Sequence, residues 1–211
     1  MKSQKSSEER PTRPRGRPRA FDEDKAVYAA AQLFWQHGYD GTSISELTAA
    51  MGITTQSLYS AFGSKAELYQ RSLISYRENS GGGLPAALAL PNAVDAMVGV
   101  MENAARQFTR RGLPHGCMIS TGCLQVSAEH TELAEHLRGI RRTGRRSVED
   151  RLRRGVAEGD LRPDIDVPSL ARYVQVMAQG IAVQATDGAS TAALRAVVKQ
   201  ASITVEAARA D

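Results

Sequence analysis

Residues 43–68 read SISELTAAMGITTQSLYSAFGSKAEL, and this stretch decides the fold. Ser43 followed by Glu46 is a capping box, in which the serine hydroxyl accepts the glutamate N–H and the carboxylate reaches back. Gly52 can adopt a turn conformation that would strain any residue with a side chain. Thr54 then has the hydroxyl needed to cap a second helix. The order of capped helix, glycine turn and second helix predicts a helix-turn-helix.

The second of these helices is expected to expose its polar side. Leu47, Ile53 and Leu58 are spaced to bury the crossing of the two helices. The remaining side chains can hydrogen-bond base edges and phosphates in a major groove. An ordinary helical hairpin with a polar outer face is the alternative interpretation. The candidate DNA contacts of this segment are Thr54, Thr55, Gln56, Ser57, Tyr59 and Ser60.

The rest of the chain is predicted to be all-α. Apolar residues recur at helical spacing and no convincing alternating strand or solenoid repeat is present. Glycines and a proline at 81–85 indicate a domain boundary. The predicted units are a disordered basic arm at 1–20, a DNA-binding domain at 21–78 that includes a linking helix at 64–77, and a larger helical domain at 79–211. Helices are expected at about 22–37, 92–108, 129–158, 167–186 and 191–208, with a short apolar segment at 117–126.

Composition excludes several classes of protein. Apolar residues make up 42% of the 211 residues and charged residues 24%, as in ordinary globular proteins. No apolar run approaches the ~18 residues that a membrane helix needs. The N-terminus lacks the apolar segment of a secretory signal, and two cysteines do not make a disulfide framework. We therefore expect a protein of the cytoplasm without a membrane partner.

The positive charge is concentrated in the arm. Residues 1–20 contain seven Lys or Arg and two Glu, whereas the whole chain has a formal net charge of +4. Within Arg15-Gly16-Arg17-Pro18, glycine can press against a groove floor, and proline keeps the backbone extended. The two arginines would project into a narrow A·T minor groove. The segment resembles an AT-hook; a merely solubilising tail is the alternative.

A wider string of residues resembles one family. HGYDGTSI at 37–44, MGIT at 51–54 and SLYSAFGSKAELY at 57–69 are similar to the DNA-binding domain of the TetR family of bacterial repressors. The resemblance covers roughly residues 20–70 and departs from the family at Thr48, where Ala is more frequent. It implies that 54–60 is the recognition helix and that phosphates are contacted by Thr42, Tyr59 and Lys65. By the same resemblance, base edges are approached by Thr55, Gln56, Ser57 and Ser60.

The resemblance also implies that the C-terminal part binds a small molecule and forms a homodimer. The last two helices would pair with their copies through apolar faces: Leu170, Val174, Ile181, Leu194, Val197, Val198 and Val205. These faces could instead be intramolecular core. Methionine adapts to varied apolar ligands, although a methionine stripe is also typical of plain core. The candidate pocket residues are Met97, Met101, Phe108, Cys117, Leu124, Tyr173 and Met177.

The leading hypothesis is a repressor released from a near-palindromic operator when a small molecule binds. Alternatives are an architectural protein of A·T-rich DNA without an effector, and a repressor that senses oxidants or electrophiles through Cys117 or Cys123. The spacing of His115, Cys117, Cys123 and His130 matches no standard metal site, so we expect no metal and no cofactor. No phosphate loop or nucleophile–base pattern indicates an enzyme.

Overall fold

The structure, a computed structural model, describes residues 21–79, 83–124 and 126–210. The predicted arm, including Arg15, Gly16 and Arg17, lies outside them. The regular secondary structure of the described residues is helical, apart from one isolated bridge between Leu161 and Arg209. The helices are α1 Glu23–His37, α2 Ile44–Met51, α3 Thr55–Phe62, α4 Lys65–Asn79, α5 Gly83–Leu88, α6 Ala93–Gln107, a 3₁₀ turn Ala128–His130, α7 Thr131–Glu158, α8 Val167–Thr186 and α9 Thr191–Glu206. The all-α prediction is confirmed.

Residues 21–79, called the head, fold around the first helix. α1 packs against α2 and α4, and α3 contacts both of its neighbours along the chain. Phe34 is 1% exposed and lies edge-on to Tyr69, with ring centroids 4.9 Å apart. Tyr39 meets the same Tyr69 ring edge-on at 5.3 Å. This cluster of three rings fixes how α1 and α4 cross.

Residues 83–210, called the body, are held by aliphatic packing. α6 lies against α8 and α9, and α7 lies against α8. The buried faces carry small and branched side chains that let the helices approach closely. The fully buried members include Val94, Met97, Met101, Leu152, Ala171, Val174 and Val205.

The core of the head continues into the body. Cys117, Met118, Cys123, Leu133 and Leu137 belong to the same buried cluster as the rings of the head. α4 is therefore shared by the two regions. The division at residues 78–79 stays a prediction about folding units.

Two helix starts differ from the sequence-based expectation by more than one residue. Instead of a plain break at 81–85, α5 begins at Gly83; Pro85 fits there because its missing N–H would be unbonded in a first turn. The long helix was expected from 129, but a 3₁₀ turn occupies Ala128–His130 and α7 begins at Thr131. None of the described helices combines the length and the hydropathy that crossing a membrane requires.

Candidate nucleic-acid interface and effector cavity

The turn between α2 and α3 has the geometry that the sequence predicts. Ser43 and Glu46 form both bonds of the capping box at the start of α2. Gly52 has φ 65° and ψ 32°, the left-handed conformation, and its N–H is bonded to the carbonyls of Thr48 and Ala49. Thr54 caps α3 by accepting the N–H of Ser57 at 3.1 Å. The turn at Gly52 and the cap at Thr54 together fix where α3 begins.

α3 buries one face and exposes the other. Leu58 and Phe62 are 0% and 2% exposed and anchor the helix in the head. Ser57 is partly buried, with its hydroxyl 2.9 Å from that of Thr54. The predicted DNA contacts that stand exposed on or beside α3 are Thr54, Thr55, Gln56, Tyr59 and Ser60.

Lys65 lies beside this surface, at the first position of α4. Its ammonium nitrogen is 4.4 Å from the centroid of the Tyr39 ring, a cation–π contact. Burial lowers the pKa of Lys65, while Asp40 and Glu46 act in the opposite direction. The contact holds a positive charge near the N-terminus of a helix, where anions bind favourably.

The side chain of Thr42 is not exposed on this surface, and its predicted phosphate contact stays a prediction. The residue is fully buried, and its hydroxyl donates to the carbonyl of Gly38 at 2.7 Å. The hydroxyl closes the end of α1 because Gly38 leaves a carbonyl there to be satisfied.

The head itself is not basic. From 22 to 77 four basic residues face six acidic ones. Attraction to phosphates would therefore depend on a few placed groups, on helix N-termini and on the arm. The acidic residues are Asp22, Glu23, Asp24, Asp40, Glu46 and Glu67, and the basic residues are Lys25, Lys65, Arg71 and Arg77.

A cavity of about 1060 Å³ lies between α4, α5, α7 and α8. Its walls include Ile74 of α4, Leu84 of α5, Ile140 of α7 and Val174 of α8. A volume of this order accommodates a drug-sized ligand. Because α4 forms one wall and also carries the head, occupancy of the cavity can bear on the position of α3.

The predicted pocket residues are mostly elsewhere. Cys117 lines this cavity, but Met97 and Met101 are fully buried between α6 and its neighbours. Phe108, Tyr173 and Met177 pack against the same core. Leu124 is 59% exposed and borders a separate cavity of about 550 Å³ between α1 and residues 115–126. The methionine stripe is core packing because α6 runs through the centre of the body.

The sequence contained one unused signal for the cavity. Gly139 and Gly144 interrupt the predicted long helix and both line its wall in the structure. A Cβ built at Gly139 meets no atom within 4 Å. Missing side chains on one helix can leave space for a ligand. Arg141 lies in an arginine-rich stretch at 138–154, for which a solvated helix face is the default interpretation and an acidic ligand or a second nucleic-acid contact the alternative. Gln175 had no sequence signal.

The faces predicted for dimerisation are largely intramolecular. Val174, Ile181, Leu194, Val198 and Val205 are at most 2% exposed within the single chain, because they pack against α6. Leu170 is partly buried against the same core. Of the predicted set Val197 is exposed, at 45%. The large apolar side chains of α8 and α9 that are exposed are Val176, Val183, Val197 and Ile203.

Both cysteines are free thiols buried against tyrosines of α4. Tyr76 donates its hydroxyl to the sulfur of Cys117 at 3.4 Å. The sulfur of Cys123 lies 3.8 Å from the hydroxyl oxygen of Tyr69. Burial raises the pKa of Cys123, which disfavours the reactive thiolate. The contacts make these side chains part of the junction between head and body.

Comparisons with known proteins point to one family for both the N-terminal and the C-terminal part of the chain. The family model described as bacterial regulatory proteins of the tetR family matches residues 27–71, and that of the tetracyclin repressor-like C-terminal domain matches residues 93–201. The HTH-type transcriptional repressor ComR of Escherichia coli is 32% identical over 178 residues, which cover 83% of this chain and 85% of that one. BdcR of the same organism, also an HTH-type transcriptional repressor, is 41% identical over 108 residues, covering 51% of this chain and 55% of its own length.

Solved structures extend the similarity to three dimensions. A cysteine mutant of the TetR family regulator CifR, complexed with 26-bp double-strand operator DNA, superposes with a TM-score of 0.85 at 36% identity. The match covers 88% of this chain and 98% of that one. A putative TetR regulator from Rhodococcus sp. RHA1 is 37% identical with a TM-score of 0.61, over 88% of this chain and 98% of its own.

Proposed function

This chain belongs to the TetR family of bacterial regulatory proteins and is a DNA-binding transcriptional regulator, and we propose that it represses transcription from a near-palindromic operator until a small molecule fills the cavity beside α4. It would act in the cytoplasm as a homodimer. The observation that carries the proposal is the capped helix α3, which buries Leu58 and Phe62 and turns a continuous polar face to solvent.

DNA reading would use the exposed groups of α3. Thr55, Gln56 and Ser60 are short polar side chains that reach base edges when a helix lies in the major groove. Ser57 would approach the base edges beside them, and phosphates would be bound by Thr42, Tyr59 and Lys65, with Thr54 at the start of the helix. The similarity to a regulator solved on operator DNA supports this assignment.

The dimer would form through the exposed sides of α8 and α9. Val176, Val183, Val197 and Ile203 are apolar side chains between 45% and 64% exposed. Such faces are typical of interfaces between subunits. A twofold dimer would place two α3 helices about one DNA turn apart, which requires an inverted repeat in the operator.

Selection from a pool of random double-stranded DNA tests the proposal. The full chain should retain a short inverted repeat, whereas retention of long A·T-rich tracts without symmetry would favour the architectural alternative. Gln56→Ala should then lower affinity for the selected DNA about tenfold to a hundredfold, the range for losing one base-reading side chain.

A matched control comes from the same head. Gln70→Ala removes an exposed glutamine of α4 that lies outside α3, and it should leave affinity for the selected DNA nearly unchanged. Circular dichroism establishes that both variants keep their helices. Equal binding of the selected DNA by the two variants would show that Gln56 reads no base.

A further inference from the structure

One arginine of α7 differs from its neighbours in what neutralises it. Arg138 and Arg142 both pair with Glu135, at 2.9 and 2.8 Å, and Arg145 pairs with Glu149 at 3.0 Å. Arg141, between them, has no carboxylate within 4 Å among the residues that the structure describes. Its guanidinium donates to the carbonyl oxygens of Ile119 and Gly122, at 2.8 and 3.2 Å.

Of these four arginines, Arg141 is the one that is partly buried and has no carboxylate partner among the described residues. It lines the 1060 Å³ cavity and is partly buried. Burial lowers the pKa of its guanidinium, and the nearby charge of Arg138 adds to that effect. A cation that has lost water without gaining an anion is unfavourable, and an anion brought to it recovers much of that free energy.

The rest of the wall suits an anion with an apolar body. Ile74, Leu84, Leu88, Val100, Ile119, Ile140, Val148 and Val174 give the cavity an aliphatic lining. The charged residues of the described walls are Arg77, Glu78, Arg141 and Arg145. Because Arg145 is neutralised by Glu149, the remaining balance is one positive charge. Gln175 of α8 and Ser120 of the segment 117–123 add neutral polar atoms to the lining.

We propose that the effector of this regulator is a small organic carboxylate with an aliphatic or aromatic body, and that Arg141 binds its carboxylate. The inference rests on the proposed function, since it names the class of molecule that the cavity takes. Guanidinium and carboxylate match in geometry and can form two parallel hydrogen bonds.

The same arginine connects the cavity to the head. Its two acceptors lie in the segment 117–123, whose cysteines touch Tyr69 and Tyr76 of α4. Tyr69 in turn packs against the rings of Phe34 and Tyr39. A carboxylate that draws Arg141 from those carbonyls frees the segment to move against α4. The binding of the anion would thereby shift the spacing of the reading helices in the dimer.

Calorimetric titration of the full chain tests the ligand class with matched probes. Octanoate and 1-naphthaleneacetate are each compared with their own amide, which has nearly the same size and no charge. At least one acid should bind about tenfold or more tightly than its amide, as expected for a hydrogen bond to a charged group. Equal binding of acid and amide in both pairs, or no binding of either acid, would overturn the proposal.

Two variants assign the preference to one side chain. Arg141→Gln should abolish the discrimination between acid and amide while still binding the amide. Arg142→Gln, at an exposed arginine on the next position of α7, should keep it. If Arg141→Gln does not fold, Arg141→Lys should retain a charge-dependent preference at reduced strength. A preference that survives unchanged in Arg141→Gln would assign the carboxylate to another residue.

A separate measurement distinguishes failure of this inference from failure of the proposed function. Affinity for the selected inverted repeat is measured without any probe, and then with each acid. Tight DNA binding with no preference for acids would overturn the ligand class alone. A chain that retains no inverted repeat would overturn the repressor proposal even if acids bind at Arg141.

Discussion

The head and the body are each stabilised by a different kind of interaction. In the head, α2 and α3 have eight residues each, and hydrogen-bonded caps end them. In the body, helices of 15 to 28 residues pack through aliphatic faces. Short helices are marginal on their own, so the head depends on its caps and on a few aromatic rings. The body depends on many small contacts and can leave a large cavity within them.

This difference suits a regulator. A surface that reads DNA must hold its side chains in one arrangement, and the caps of α2 and α3 set that arrangement locally. A part that responds to a ligand must have space and more than one packing. α4 belongs to both, because its buried tyrosines contact the rings of the head and the cysteines of the body.

Removal of one ring should break the head more severely than any change to its surface. Phe34→Ala should lower the free energy of unfolding by about 3–5 kcal/mol, since it empties the centre of the aromatic cluster. Tyr28→Ala on the same helix, at a residue 42% exposed, should cost below about 0.5 kcal/mol. Urea unfolding at one fixed protein concentration measures both, because dimerisation adds to apparent stability. Equal costs would mean that the cluster does not hold the head.

Glycine should have opposite effects in the two regions. Gly52→Ala places a side chain on a left-handed backbone, which costs about 1–2 kcal/mol although the added Cβ meets no atom. Gly139→Ala on α7 also meets no atom, but there the backbone is helical, so stability should rise by about 1 kcal/mol. Thermal unfolding of the two variants checks the sign. If Gly139→Ala is less stable than the unchanged protein, the glycine has a structural role in α7 besides leaving space for the cavity.

A smaller effect should appear in acid at the start of α2. The pKa of Glu46 is lowered by its hydrogen bonds from the Ser43 side chain and backbone. A lowered pKa stabilises the folded state above the ordinary value of 4.5, and that stabilisation is lost as pH falls through the folded-state pKa. Ser43→Ala should weaken this acid dependence. Hydrogen exchange of the α2 amides between about pH 3 and 6 measures this acid dependence. Identical pH profiles for Ser43→Ala and the unchanged protein would contradict the capping box.

The head was readily predictable because its signals are local. The capping box of Ser43 and Glu46, the turn at Gly52 and the burial of Leu58 each depend on residues within a few positions of one another. Thr42 is the exception among the head contacts. Its hydroxyl serves the carbonyl of Gly38 rather than solvent, and residue type alone does not distinguish these two roles.

The body was predictable in its helices but not in its surfaces. Spacing placed Val174 and Val198 on apolar faces, yet it could not tell whether α6 or a second subunit covers them. The methionines of α6 raised the same ambiguity and proved to be core. The cavity is the space that α4, α5, α7 and α8 leave between them. The sequence of any one of these helices therefore does not indicate it.

The sequence by itself determined the all-helical fold and the helix-turn-helix, because caps, turns and helical periodicity are properties of neighbouring residues. The family followed from the resemblance carried by residues 37–69. Only the tertiary structure decided that Arg141 faces a cavity without an acidic partner while Arg138 and Arg142 share Glu135. The reason is physical: burial and the pairing of charges depend on which distant segments meet. Residues 119 and 122 reach Arg141 through the fold and not through the spacing of the chain.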